Sequence, residues 1–232
     1  MSNNPPGLAA KLRSWLPAQD CLLCGADSGQ ALVCAACASD LPALPSAQCP
    51  TCALPAPGGQ TCGECLRRPP HFDATVARWR YGFPLDRLVQ ALKYAHRLAT
   101  AEFLARGMLA GPIPVGDCLL PVPLSATHLR QRGFNQAMEL ARILAPTTGL
   151  PLLTEAVERT ADTAPQASLP WKARRKNIRN AFEGRQDLSG RHVIVIDDVM
   201  TTGATLDELA RTLKKHGAAQ VTNWVVARTL KD

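Results

Sequence analysis

The chain has 232 residues, room for one medium domain with a small appendage, and 46% of them are hydrophobic, which excludes a disordered or low-complexity protein. A formal charge of +7 and a pI near 9.1 favour anionic partners such as phosphates, nucleotides or nucleic acid, without singling one out. No secretory signal is visible and no stretch approaches the roughly 20 apolar residues of a spanning helix, so no membrane insertion and a cytoplasmic, thiol-reducing setting are expected.

Residues 1–17 carry Leu8, Leu12, Trp15 and Leu16 at helical spacing and read as a short amphipathic docking segment. Residues 18–68 hold eight of the nine cysteines as four CxxC pairs: Cys21/Cys24, Cys34/Cys37, Cys49/Cys52 and Cys62/Cys65. Two cysteines three apart form a knuckle whose thiolates converge on one ion. Two knuckles complete the tetrahedral sulfur set that zinc prefers. The segments CLLCGADSGQALVCAAC and CPTCALPAPGGQTCGEC each read CxxC, nine residues, CxxC. Sequential closure into two structural zinc sites is therefore expected, with interleaved pairing the alternative. Disulfides do not suit a reducing compartment, and an iron–sulfur cluster fits the regular spacing less well than zinc. Four thiolates leave no open coordination position, so these sites support structure rather than catalysis. Cys118 stands apart and reads as a small buried hydrophobe.

Arg67–His71 forms a linker, and residues 72–232 read as one α/β domain. Ala74–Tyr81 alternates like a strand. Pro84–Ala95 places Leu85, Leu88, Val89 and Leu92 at helical spacing, and Thr100–Leu109 is a second helix. Asp117–Val122 is a short apolar strand, Asn135–Leu144 a helix, and Leu153–Arg159 a further strand. Thr160–Pro170 is a polar loop. Arg191–Val199 contains the run Val193–Ile196, apolar throughout, as in strands buried on both faces of a parallel sheet. Thr205–Lys215 follows as a helix and Val221–Ala227 as a strand, which completes a βαβ unit.

The strand Val193–Ile196 delivers Asp197 and Asp198 to its carboxyl end, where open α/β sheets bind ligands. The next turn, Met200, Thr201, Thr202, Gly203, Ala204 and Thr205, opens a helix. Successive backbone N–H groups there make an anion nest, and Gly203 allows close approach. The two carboxylates suit sugar hydroxyls or a magnesium ion rather than the anion itself.

This segment resembles the PRPP-binding motif of type I phosphoribosyltransferases. Together with Pro121-Val122-Pro123-Leu124, Arg130-Gln-Arg-Gly-Phe-Asn-Gln136, Thr163-Ala-Pro-Gln166 with Leu169, and Arg175–Phe182, the chain from about 18 to 228 resembles the ComF family. The resemblance implies a type I phosphoribosyltransferase-like fold, a mostly parallel sheet flanked by helices, preceded by a double zinc ribbon. It implies that Asp197 and Asp198 hold the ribose hydroxyls and that Met200–Thr205 holds the 5′-phosphate. Pro121, Val122 and Pro123 would receive pyrophosphate, clamped by Arg130 and Arg132, and Lys93 would reach an anion. The implied reaction, with magnesium, displaces pyrophosphate from C1 of PRPP by a nitrogen nucleophile, a pentosyl transfer whose acceptor no residue identifies. Family members serve competence and the use of external DNA. Two other readings stay open. One is a single-stranded nucleic-acid-binding factor of the DNA-uptake machinery with a non-catalytic PRPP or nucleotide pocket, using Trp171 and the basic run Lys172, Arg174, Arg175, Lys176 and Arg179. The other is a scaffold that docks competence-machinery proteins through its zinc ribbons. The five histidines receive no role.

Overall fold

The computed structural model describes residues 19–94, 98–160 and 178–230. Two compact units form, Met1–Leu41 and Pro42–Asp232. The sequence divided the chain into 1–17, 18–68 and 72–232; by compactness the boundary between the units falls between the two cysteine repeats.

In the first unit the chain folds back at Cys21–Cys24, with a bridge between Asp20 and Asp27, and runs into the short helix α1 (Ala35–Ser39). In the second, Pro42–Arg67 ends in helix α2 (Gly63–Arg67) and leads to strand β1 (Ala74–Arg80). Helices α3 (Leu85–Tyr94) and α4 (Leu98–Leu109) precede strand β2 (Cys118–Pro121). Helices α5 (Ala126–Arg132) and α6 (Gln136–Thr148) follow, then the strands β3 (Val157–Arg159) and β4 (Phe182–Gly184). Strand β5 (His192–Met200), helix α7 (Ala204–Lys215) and strand β6 (Gln220–Arg228) complete the βαβ unit.

The four long strands form one parallel sheet in the order β1-β6-β5-β2, and β3 pairs with β4 as a separate antiparallel ribbon. Val193, Ile194, Val195 and Ile196 are wholly buried in β5, as a strand covered on both faces requires. Leu206, Leu209, Ala210 and Leu213 of α7 pack into the same cluster as Val193, Val195, Val221 and Val225. Cys118 lies buried at the start of β2, as its apolar neighbourhood suggested. Leu119 adds an isolated parallel bridge to Leu152 at the sheet edge. No described helix is long and apolar enough to cross a membrane.

Four elements had no sequence expectation: the short helices α1 and α2 of the cysteine region, helix α5 and strand β4. Helix α5 is short and polar, but its ends are signposted. Ser125 caps it by accepting from the His128 N–H, and Gly133 ends it at φ 73. Strand β4 has three residues, too few to show a period. The amphipathic segment 1–17, His96, and the Thr163–Gln166, Leu169 and Trp171–Lys176 features lie outside the described residues.

Candidate functional site

The eight thiols group sequentially. Cys21, Cys24, Cys34 and Cys37 form one set and Cys49, Cys52, Cys62 and Cys65 the other, all four sulfurs of each lying within 4.8 Å of one another. Four sulfurs held about 2.3 Å from one zinc ion sit about 3.8 Å apart. Cys24 and Cys34 are at 3.8 Å, and Cys52 and Cys62 at 3.7 Å, so both sets fit the metal. Backbone donors are already aimed at the sulfurs: the Cys34 N–H meets Cys21 Sγ and the Cys62 N–H meets Cys49 Sγ, each at 3.3 Å. Burial opposes the Cys21 thiolate, but the N–H groups of Cys34, Cys24 and Leu23 outweigh it and bring the thiol down to about 6. The second set is part of the sheet's own packing. Cys49, Cys52 and Cys65 belong to the core cluster that holds Phe72, Met200 and Val225.

At the carboxyl end of the sheet, β2 and β5 run side by side, with Pro121 opposite Ile196. The Val122 N–H continues that ladder by donating to Ile196 C=O at 3.0 Å, which sets Pro121–Pro123 beside Asp197. Asn135 then fixes the loop from the other side. Its Nδ2 donates to Val122 C=O at 3.0 Å, while its Oδ1 caps α6 by accepting from the Ala137 and Met138 N–H groups.

The two acids differ in surroundings. Successive strand residues point to opposite faces. Asp198 is buried and meets Lys93 Nζ through Oδ2 at 2.7 Å. Burial works against the Lys93 charge, yet Asp198 and then Asp197 outweigh it and hold the ammonium above its ordinary range. For Asp197, burial and then the Asp198 carboxylate push the carboxyl up to about 7. Each acid also accepts from the next backbone N–H, Asp197 from Asp198 at 2.9 Å and Asp198 from Val199 at 2.7 Å. Lys93 thus stands on the acidic pair.

The Met200–Thr205 turn follows the acids and opens α7. β5 stays paired through Met200, opposite Arg228, so the paired strand runs one residue past the expected end. The Met200 side chain is core, and what it offers the turn is backbone. Gly203 adopts φ 79 and caps α7 with no side-chain hydrogen bond of its own, at a helix end whose first N–H groups lack intrahelical partners. Thr202 Oγ1 takes one of them, from Ala204, at 3.3 Å. A side chain at Gly203 would meet the Met200 methyl at 2.7 Å, a second reason for glycine there.

The arginines separate. Arg132 lies over the Tyr94 ring, 5.5 Å from its centroid, and is close enough to Lys93 to oppose its charge. Arg130 is exposed and donates to Thr127 Oγ1 at 3.2 Å on its own helix. An open cleft of about 710 Å³ adjoins Pro123, Leu124, Phe134 and Asn135 and reaches Arg159 and Arg185 of the ribbon region. Asn135 escaped the sequence reading although an asparagine ahead of a helical run is a capping signal. Three histidines have structural partners: His71 with Asp207, His128 with Ser125, and His192 with Thr222.

A parallel sheet ending in an acidic pair and a helix-opening threonine turn, in a chain with two four-cysteine sites, defines a phosphoribosyltransferase-type domain joined to a double zinc ribbon. Residues 129–231 match the phosphoribosyl transferase domain family, and residues 12–66 match the double zinc ribbon domain. The chain is 37% identical over 191 residues to the DNA utilization protein YhgH of Escherichia coli O157:H7, covering 78% of this chain and 84% of that protein. It is 34% identical over 182 residues to competence protein F of Haemophilus influenzae, covering 73% and 79%. A solved structure, the glutamine PRPP amidotransferase of B. subtilis complexed with ADP and GMP, aligns over 54% of this chain and 25% of its own at 17% identity and a TM-score of 0.39. The chain belongs to the ComF family.

Proposed function

We propose that this protein binds PRPP or another ribose 5-phosphate at the carboxyl end of β5, as a phosphoribosyltransferase-type member of the ComF family serving DNA utilisation. The observation that carries the reading is the Met200–Thr205 turn. It joins a glycine N-cap at positive φ with the hydroxyls of Thr201, Thr202 and Thr205 at the start of α7, soon after the acidic pair. Asp197 and Asp198 would accept from the ribose hydroxyls, and the Pro121–Pro123 loop would receive pyrophosphate with Arg132. The carboxylates are hard oxygen donors that suit magnesium, which would neutralise charge on the departing pyrophosphate. Displacement at C1 needs positioning and charge stabilisation rather than a protein nucleophile.

The test is calorimetric titration of PRPP with magnesium into the zinc-loaded chain, beside the Asp197→Asn, Asp198→Asn double variant. Binding by the wild type that disappears in the variant is the expected result. No heat in the wild type rejects the ribose-phosphate site. The names carried by the relatives support a role with DNA, and the basic run at Lys172–Arg179 is where single strands would lie. Affinity for single-stranded DNA should fall with salt and fall again when Arg174, Arg175 and Lys176 are neutralised. A salt-independent affinity removes the nucleic-acid reading.

A further inference from the structure

Arg228 closes β6 and is only 3% exposed, in a strand whose other inward positions are mostly aliphatic. Its guanidinium donates from Nε to Cys52 C=O at 2.7 Å. From Nη1 it donates to Met200 C=O at 3.0 Å, to Thr229 C=O at 2.8 Å and to Thr201 C=O. All four partners are neutral carbonyl oxygens. A buried cation among neutral groups is costly unless negative charge lies close by. Cys52 belongs to the second cysteine set, and four thiolates around one divalent ion leave a net negative charge beside the guanidinium.

The connectivity matters as much as the charge. Met200 and Thr201 begin the phosphate turn, and Cys52 sits in the third knuckle. The same knuckle is tied to β1 by the Thr75 N–H, which donates to Pro50 C=O at 3.1 Å. Cys52 and Cys65 also pack in the core that contains the Met200 side chain. A lysine could not reproduce this arrangement, because one ammonium on a flexible stem lacks the planar fork that reaches carbonyls on two sides.

We propose that Arg228 is a positioning residue that braces the Met200–Thr205 turn against the Cys49, Cys52, Cys62 and Cys65 metal site, so that disturbing this site loosens the turn. The geometry of the brace stands by itself, and its consequence for ligand binding rests on the ribose-phosphate reading above.

The experiment is amide hydrogen exchange on the full zinc-loaded chain, comparing wild type with Arg228→Lys and with Cys62→Ser. Two reporters flank the turn: the Thr229 N–H, which donates to Met200 C=O at 3.0 Å, and the Asp207 N–H, which donates to Gly203 C=O at 2.8 Å. Val193–Ile196 in β5 report the sheet. The expected result is exchange about tenfold faster at the reporters in both variants, the scale of one charge-assisted hydrogen bond, with β5 unchanged. Unchanged reporters in Cys62→Ser overturn the brace, and so does a rise in β5 as large as that at the turn. Exchange is read without ligand. Failure of the wild type to bind PRPP therefore rejects the ribose-phosphate reading and leaves the brace to stand or fall on exchange alone.

Discussion

Asp197 and Asp198 are chemically identical neighbours, and the fold gives them different surroundings by pointing them to opposite faces of one strand. Asp198 pairs with Lys93 at 2.7 Å, whereas Asp197 is pushed up to about 7 by burial and by its neighbour. A carboxyl raised in the folded state binds its proton more tightly there than in the unfolded chain. Its contribution to stability is therefore full below pH 4 and declines as the pH rises towards 7. Asp197→Asn should raise the melting temperature of the ligand-free protein at pH 8, by roughly 2–4 °C for each kcal/mol relieved, and leave it unchanged at pH 4. Equal shifts at both pH values in thermal melts would sink this assignment. At Gly203 the penalty is conformational. Gly203→Ala forces a left-handed conformation on a residue with a Cβ, costing about 1–2 kcal/mol, and urea unfolding should show that loss alongside weaker phosphate binding.

Between elements, the turn from β2 into α5 and α6 shows how one side chain can serve two. Asn135 caps α6 through Oδ1 and holds the Pro121–Pro123 loop through Nδ2. The two jobs are separable. Asn135→Asp keeps an acceptor for the cap but cannot donate to Val122 C=O, so it should unfold near the wild-type denaturant midpoint while pyrophosphate affinity falls. Asn135→Ala should lose both, with about 0.5–2 kcal/mol from the missing cap. If Asn135→Asp bound pyrophosphate as tightly as the wild type, the loop would not depend on this hydrogen bond. The β5–α7–β6 unit was legible because each element spoke for itself: four aliphatic residues in a row, then apolar residues at helical spacing, then a second strand. β4 was not, because a three-residue strand owes its existence to the partner across from it.

For the whole molecule, the two cysteine sets should hold two zinc ions per chain, measured by elemental analysis of protein purified without added metal. Their removal should have unequal meaning for the sheet. The second set is buried within the core of Pro42–Asp232, so substituting Cys65 should lower the melting temperature of the unit that contains the sheet. A Cys65→Ser variant that melts like the wild type would show that the second set does not support that core.

The cysteine spacing determined the metal class, and the resemblance carried by the acid-threonine-glycine segment together with Arg132-Gly-Phe-Asn-Gln136 gave the family. Those features are local, and their chemistry is set by residues a few positions apart. The sheet order, the Lys93–Asp198 pair and the four carbonyls gathered by Arg228 were decided only by the tertiary structure. Arg228 lies 176 positions from Cys52 and 28 from Met200, and nothing in an arginine at the end of a strand says that the chain will bring both to it. Burial then did what sequence could not: it removed water as the alternative partner and left those carbonyls to satisfy the guanidinium.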